Sequence, residues 1–334
     1  MRLICLNDVL FVPSLSFPSH RLTSSYIERE RSQDPMGCGS SCCIPPYVSK
    51  AIEVHAAAEP KKASDAPTDS QSTFKAGPRR PVMSEAMAQK WLLSNGKPVA
   101  GAKVRIICLG WAGANSNVFK TWDLKCGEVV KVELPSRNAR FNDKPIHDVN
   151  ILAKKISQAC FVMGYLESTT PLVIFGHSFG AMIGLHLARI MKKEYDYTPK
   201  MCIFGGCRPL HRWGFPMSYY KEDDDEMIQS MVDCGGMTKE MAKDKLLVSS
   251  VLAGIKMDHL CMDRYVFNEK AEKLEAPLWL IGGLDDPRSP PEQLPEWDRY
   301  TTCSIQIKTF PGGHFFLKEK EADVLAWLGK VIEE

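Results

Sequence analysis

Ser178 stands between Gly176 and Gly180 in the run Gly-His-Ser-Phe-Gly, and the apolar stretch Leu172 to Phe175 leads straight into it. Beyond it, Phe179 to about Lys193 reads as a helix. A strand that turns into a helix through a serine needs residues without side chains on both sides of the turn. The reward is a serine oxygen held out at the end of a sheet, beside a helix N-terminus, where a nucleophile belongs. A serine hydroxyl is a weak nucleophile until a base takes its proton. In this architecture the chain order is serine, acid, histidine, each on a loop at the carboxyl end of a strand. Asp285 and Asp286 follow the apolar run Pro-Leu-Trp-Leu-Ile-Gly-Gly, and His314 follows Ile-Gln-Ile-Lys-Thr-Phe-Pro-Gly-Gly. His314 is the expected base. Asp286, directly before Pro287, is the preferred acid to orient it, with Asp285 as the alternative. One of the two must be a turn or cap residue. An oxyanion formed at the serine needs two backbone N–H donors. Phe179, next after the serine, is one. Ala112, in Leu-Gly-Trp-Ala-Gly-Ala-Asn with Trp111 beside it, is the other.

The elements that must position these residues alternate. Lys-Val-Arg-Ile-Ile-Cys-Leu and Glu-Val-Val-Lys-Val-Glu-Leu read as strands, the second turning at Pro135. Val149, Leu152, Ile156, Ala159 and Phe161 have helical spacing. Lys-Met-Cys-Ile-Phe, Leu-Trp-Leu-Ile and Ser-Ile-Gln-Ile-Lys-Thr-Phe are further strands, and Glu-Ala-Asp-Val-Leu-Ala-Trp-Leu closes the chain as a helix. Strands alternating with helices imply a mainly parallel sheet with helices on both faces. Residues 208 to 270 break the rhythm. They hold helical patterns, the acidic run Lys-Glu-Asp-Asp-Asp-Glu and no strand, so they read as an inserted helical lid. Met227, Met231, Met237, Met241, Leu246 and Leu247 are its candidates for lining an apolar pocket or for packing the lid onto the core. The acidic run reads as a solvated helix start. His177 and His186 read as structural, and His211 and His259 fall in the lid without a role.

The chain has 334 residues, 44% of them hydrophobic, and a net charge of +2. That suffices for one large core. A balance so near neutral gives no field for nucleic acid. No apolar run is long enough for a transmembrane helix. The first 17 residues are signal-like, but Asn7 and Asp8 interrupt their apolar stretch. Of the 12 cysteines, Cys38, Cys42 and Cys43 cluster near the N-terminus and the others are scattered, several of them (Cys108, Cys202 and Cys303) in apparent strands, as buried thiols of a reducing, cytoplasmic compartment. No spacing suggests a metal, and the chemistry calls for no cofactor. Residues 50 to 80 are rich in Ala, Pro, Ser, Lys and Asp, which reads as a disordered linker. The expected division is therefore an N-terminal extension over 1–80 and a catalytic domain over 81–334.

From about 103 to 332 the sequence resembles the type II thioesterases, the stand-alone enzymes that accompany polyketide, fatty-acid and non-ribosomal peptide synthases. The resemblance runs in order through Leu-Gly-Trp-Ala-Gly-Ala-Asn, Val-Glu-Leu-Pro-Ser-Arg-Asn-Ala-Arg-Phe, Gly-His-Ser-Phe-Gly, Phe-Gly-Gly-Cys-Arg-Pro, Met-Asp-Arg-Tyr, Ile-Gly-Gly-Leu-Asp-Asp and Phe-Pro-Gly-Gly-His-Phe. It implies the α/β-hydrolase fold with its helical lid over the 208–270 insert. It also implies hydrolysis of an acyl thioester borne by an acyl carrier protein or CoA, with a polyketide or fatty-acid synthase as partner. Ser178, Asp286 and His314 fall on the family's nucleophile, acid and base. Two positions depart from the family pattern: Ser136 where a glycine is usual after Leu-Pro, and Ala114 in place of the first motif's second glycine. Rival readings on the same residues are an acyltransferase, a carboxylesterase, or a membrane-tethered binding module on an inactive scaffold.

Residues 36 to 43, Met-Gly-Cys-Gly-Ser-Ser-Cys-Cys, raise a separate expectation. With Met36 as the true start, Gly37 fits a myristoylation site and Cys38, Cys42 and Cys43 fit palmitoylation sites. Two acyl signals would hold the chain at a membrane surface stably, where one would not.

Overall fold

The computed structural model describes residues 83–94, 102–125, 127–213 and 223–333. The extension, and with it Gly37, Cys38, Cys42 and Cys43, lies outside them. The seven strands are β1 (Leu92–Ser94), β2 (Val104–Leu109), β3 (Gly127–Val132), β4 (Leu172–His177), β5 (Met201–Gly205), β6 (Leu278–Gly283) and β7 (Ile305–Phe310). They form one sheet in the order β1-β3-β2-β4-β5-β6-β7. Only β1 runs antiparallel, against β3; the other neighbours are parallel.

Both faces of this sheet are covered, which is why the central strands are buried at every position and mostly apolar, rather than apolar at alternate positions. Ile107, Leu109, Ile174, Cys202 and Phe204 point into one apolar layer. That layer is closed by α1 (Glu85–Trp91), α2 (Val149–Val162), α3 (Phe179–Tyr195) and the 3-10 segment Pro291–Tyr300. The alternating residues Ile106, Cys108, Val173, Phe175 and Ile203 point into the other. There they meet Phe119, Trp122, Phe316 and the C-terminal helix Glu321–Glu333. The α/β-hydrolase architecture expected from the sequence is the one observed.

Between β5 and β6 lie α4 (Asp224–Asp233) and α5 (Lys245–Asp263), with no strand among the described residues of that interval. The acidic run does start a helix: Asp223 caps α4 by accepting from the Asp225 N–H, and Asp224, Asp225 and Glu226 fill the first turn. Acidic residues there complement the helix dipole.

Three expectations need correction. Residues 208–213 and the end of α5 do not belong to a separate lid, because Leu210, Cys261 and Met262 are buried in the main core. Met241 and Leu246 face outward, so neither lines a pocket; α5 is amphipathic and Leu246 falls on its solvent side. Cys303 is exposed in the turn before β7 rather than in a strand, whereas Cys108 and Cys202 are buried in β2 and β5. Burial pushes the thiol pKa of those two far up, leaving them inert.

Ser136 accounts for the glycine usual at its position. Its φ is +66°, in the left-handed region that glycine enters freely. Two local bonds hold it there: its N–H donates to the Arg140 carbonyl at 3.0 Å and its hydroxyl to the Asp143 carbonyl at 2.9 Å.

Candidate active site

Strand β4 ends at His177 and α3 begins at Phe179, so the whole reversal is made at Ser178, with φ 56° and ψ −115°. Such a conformation costs energy in a residue with a side chain and persists only where its surroundings enforce it. They do. A Cβ on Gly176 would lie 2.3 Å from the Gly180 carbonyl oxygen, and one on Gly180 would lie 2.2 Å from that of Leu109. The Ser178 N–H is tied to the Gly205 carbonyl at 2.7 Å. The flanking glycines are therefore steric requirements of the turn.

The loop after β7 brings His314 to this serine. Its Nε2 lies 3.1 Å from Ser178 Oγ, and its Nδ1 lies 2.9 Å from Asp286 Oδ2 on the loop after β6. The network fits a histidine protonated at Nδ1, donating to Asp286 and accepting from the serine hydroxyl. Asp286 Oδ1 also accepts from the N–H groups of Arg288 and Ser289, at 2.9 and 3.2 Å. Burial alone would raise the Asp286 pKa. The hydrogen bond and charge of His314, with the two backbone donors, outweigh it and hold the carboxyl below its ordinary value. Asp285 is exposed and serves the turn, its N–H donating to the Gly312 carbonyl at 2.9 Å. Asp286 is thus the acid brought to His314, and Asp285 is not.

His177 is structural in a specific sense. It is fully buried, and its Nε2–H donates to the His314 carbonyl at 3.0 Å. Burial, then the neighbouring His314, push its pKa down to about 3, so it stays neutral and holds the loop that carries His314. His186 is a neutral core histidine, also at about 3 through burial, bonded to Asn150 Oδ1 at 2.8 Å. His211 packs on the core rather than in a lid, bridging Tyr300 and Glu296.

Ala112 lines the cleft that opens on Ser178. Neither its N–H nor that of Phe179 has an acceptor among the described residues. The turn carrying Ala112 is anchored from an unexpected side. The Gly113 N–H donates to Asp258 Oδ2 on α5 at 2.7 Å, and Arg137 pairs with the same oxygen. A Cβ on Gly113 would lie 2.4 Å from Ile255 Cγ1, so the turn rests directly on α5. Sequence reasoning missed Arg137 and Asp258. They are 121 residues apart, and only the charged arginine inside the Leu-Pro-Ser-Arg motif hinted that a partner existed.

Trp111, Met231, Ile255, Met262 and Phe315 give the cleft its apolar walls, and Arg208 and Arg288 add two cations. Of the proposed lid residues, Met227, Met231 and Met237 are buried together with Val248, Leu252 and Ile255; Met231 reaches the cleft. Among the described residues no group of three or more His, Cys, Asp or Glu is placed to hold a metal, and no helix is long and apolar enough to cross a membrane.

Residues 104–331 match the thioesterase domain family. The linear gramicidin dehydrogenase LgrE of Brevibacillus parabrevis is 26% identical over 250 residues, covering 73% of this chain and 93% of that protein. The medium-chain S-acyl fatty acid synthase thioesterase of Anas platyrhynchos is 25% identical over 240 residues, covering 70% and 93%. Among solved structures, the RedJ thioesterase of the prodiginine pathway in Streptomyces coelicolor shares the fold with a TM-score of 0.65 and 25% identity, over 70% of this chain and 88% of that one. A match that spans most of the folded chain and includes its serine elbow leaves one assignment: the chain belongs to the thioesterase family, whose type II members it resembles in sequence and fold, and it is a hydrolase of acyl thioesters.

Proposed function

We propose that Ser178, His314 and Asp286 work as nucleophile, base and orienting acid on an acyl thioester carried by an acyl carrier protein or CoA. The observation that carries this reading is the unbroken hydrogen-bond chain Asp286–His314–Ser178, ending at a cleft beside two free backbone donors. His314 Nε2 takes the proton as Ser178 Oγ bonds to the thioester carbonyl carbon. The carbonyl oxygen becomes an oxyanion against the Phe179 and Ala112 N–H groups. When the oxyanion collapses, the carbon–sulfur bond breaks, and the thiol leaves with the proton from His314. Water, deprotonated by the same histidine, then attacks the acyl-serine and frees the carboxylic acid, returning the proton to Ser178. Asp286 holds the imidazole in the required tautomer throughout and stabilises its charged form.

The names of the relatives come from gramicidin and fatty-acid synthesis, which supports a synthase-borne acyl group as substrate. What LgrE's name says of redox chemistry stays with that protein. The dinucleotide fingerprint Gly-x-Gly-x-x-Gly is nowhere in this sequence. A fluorophosphonate probe labels the wild type and fails on Ser178→Ala, and the same substitution abolishes release of thiol from acyl-CoA and acyl carrier protein. Equal labelling of the variant refutes the assignment of the nucleophile. Hydrolysis of oxygen esters in place of thioesters supports a carboxylesterase instead, and acyl transfer to an added alcohol supports an acyltransferase.

The domain division at about residue 80 and the lid action of the 223–263 helices belong to the same reading. So does acylation at Gly37 with Cys38, Cys42 and Cys43, which requires Gly37 to be the mature N-terminus. Mass spectrometry of the native N-terminus tests it; an unmodified Met1 removes it.

A further inference from the structure

Arg208 and Arg288 both line the cleft of Ser178, and neither pairs with a carboxylate among the described residues. They are held by neutral groups instead. Arg208 Nε donates to the Arg288 carbonyl at 2.6 Å, and Arg288 Nη2 donates to Ser230 Oγ on α4 at 2.7 Å. Their other N–H donors have no acceptor among the described residues. Two half-buried guanidinium groups thus line one cleft with no carboxylate partner among the described residues. Glu226, Asp233 and Asp285 border Arg288 in the outer groove, yet none comes within ion-pair distance of it. His259, in the same cleft, is pushed down to about 4 by burial and then by Arg288, so it supplies no competing charge near neutral pH. A guanidinium sheltered from water without an ion-pair partner is costly unless an anion completes it. A planar guanidinium is suited to bidentate binding of a carboxylate or phosphate.

Building on the thioester-hydrolase reading, we propose that Arg208 and Arg288 form an anion subsite that takes an anionic oxygen group of the substrate. The favoured source is a carboxylate on the acyl group itself, as in the thioester of a short dicarboxylic acid. The two arginines share a cleft with the nucleophile and with its apolar walls, a lining that suits an acyl chain ending in a carboxylate. The other source of the same chemistry, the phosphate of the pantetheine arm, is remote from the thioester sulfur. The apolar walls at Met231, Ile255 and Met262 accommodate the methylenes in between.

The test crosses two acyl groups with two carriers: succinyl and butyryl thioesters, each on CoA and on N-acetylcysteamine, which has no phosphate. Wild type, Arg208→Met, Arg288→Met and Ser230→Ala are compared. The expected result is a preference for succinyl over butyryl on both carriers, reduced about tenfold to a hundredfold by either arginine substitution, the range of a charge-assisted hydrogen bond. The change falls mainly on KM. Ser230→Ala, which removes the α4 tie and keeps the charge, retains the preference. If phosphate is the anion, the preference is for CoA over N-acetylcysteamine, and the arginine substitutions erase that instead. Neither preference responding to either arginine overturns the subsite. A failure of the thioesterase reading is distinguishable, because protection from fluorophosphonate labelling needs no thioester. Succinate slows labelling more than butyrate in wild type, and the difference vanishes in Arg288→Met. Equal protection by the two acids in wild type counts against the acyl-carboxylate source even if no thioester is cleaved.

Discussion

Arg137→Met is expected to weaken the whole domain and not merely the loop that carries it. Arg137 and Asp258 are each less than a tenth exposed at the side chain, and one Asp258 oxygen takes both the arginine and the Gly113 N–H. Removing the arginine leaves a buried carboxylate with one backbone N–H to stabilise it. Breaking a buried pair from one side costs about 3–5 kcal/mol. For a domain of this size each kcal/mol moves the melting temperature by about 2–4 °C, so the drop is roughly 6 to 20 °C. The double variant Arg137→Met with Asp258→Leu removes both charges and leaves the Gly113 N–H without its acceptor, a cost of about 1–3 kcal/mol. It therefore melts above the single variant. Because Ala112 precedes Gly113, the double variant also loosens an oxyanion donor, and kcat falls by up to roughly 10²-fold, the lower bound for losing a donor outright. Differential scanning fluorimetry and initial rates on an acyl thioester measure both. A fall of under about 2 °C for Arg137→Met, or a double variant that loses the sum of the two singles, refutes the coupling.

Asp286→Asn is expected to lower kcat by up to roughly 10⁴-fold, because an amide no longer enforces the Nδ1–H tautomer of His314; Asp285→Asn stays near wild type, and the reverse pattern in steady-state rates exchanges their roles. Stability should fall as pH drops from 7 to 5. His177 and His186 stay neutral in the fold, at about 3, while the unfolded chain protonates them near 6.5, so the unfolded state binds more protons throughout that window. A melting temperature flat over pH 7–5 contradicts this. Met231→Trp should change the ratio of long-chain to short-chain acyl hydrolysis severalfold, as expected of a side chain in the cleft wall, whereas Leu246→Trp, on the exposed side of α5, should not. Identical effects of Met231→Trp on both chain lengths remove it from the acyl pocket.

What was legible in the sequence followed from local rules. The elbow could be read because its glycines are sterically compelled, and the strands because burial on both faces makes them mostly apolar. The order serine, acid, histidine led to Ser178, Asp286 and His314, which the fold brings within hydrogen-bond distance. The misses are of two kinds. Helix α1 and strand β1 lie just after a stretch of linker-like composition, and three residues of edge strand carry no periodicity to detect. Arg137 with Asp258, and Arg208 with Arg288, are pairs joined only by the tertiary fold, so no spacing announces them.

These long-range pairs also limit what the inserted helices can do. The segment of α5 from Ile255 to Asp258 is bolted to the turn of Ala112 and Gly113, and Cys261 and Met262 are buried in the main core. That half of the insert cannot lift without moving the turn of Ala112, the proposed oxyanion donor. In the proposed lid reading, the freedom to admit an acyl chain falls to α4 and the start of α5, where Asp224, Glu226 and Leu246 are exposed. Two side-chain ties restrain α4 within the described residues: Lys256 to Asp224 at 2.5 Å and Arg288 to Ser230 at 2.7 Å. The first is a largely exposed ion pair of small worth. The second joins α4 to the residue that also donates its N–H to Asp286. Opening at α4 thus releases an arginine of the proposed anion subsite while leaving the acid, the base and both oxyanion donors in place. The cleft can widen for a substrate without dismantling the groups expected to act on it.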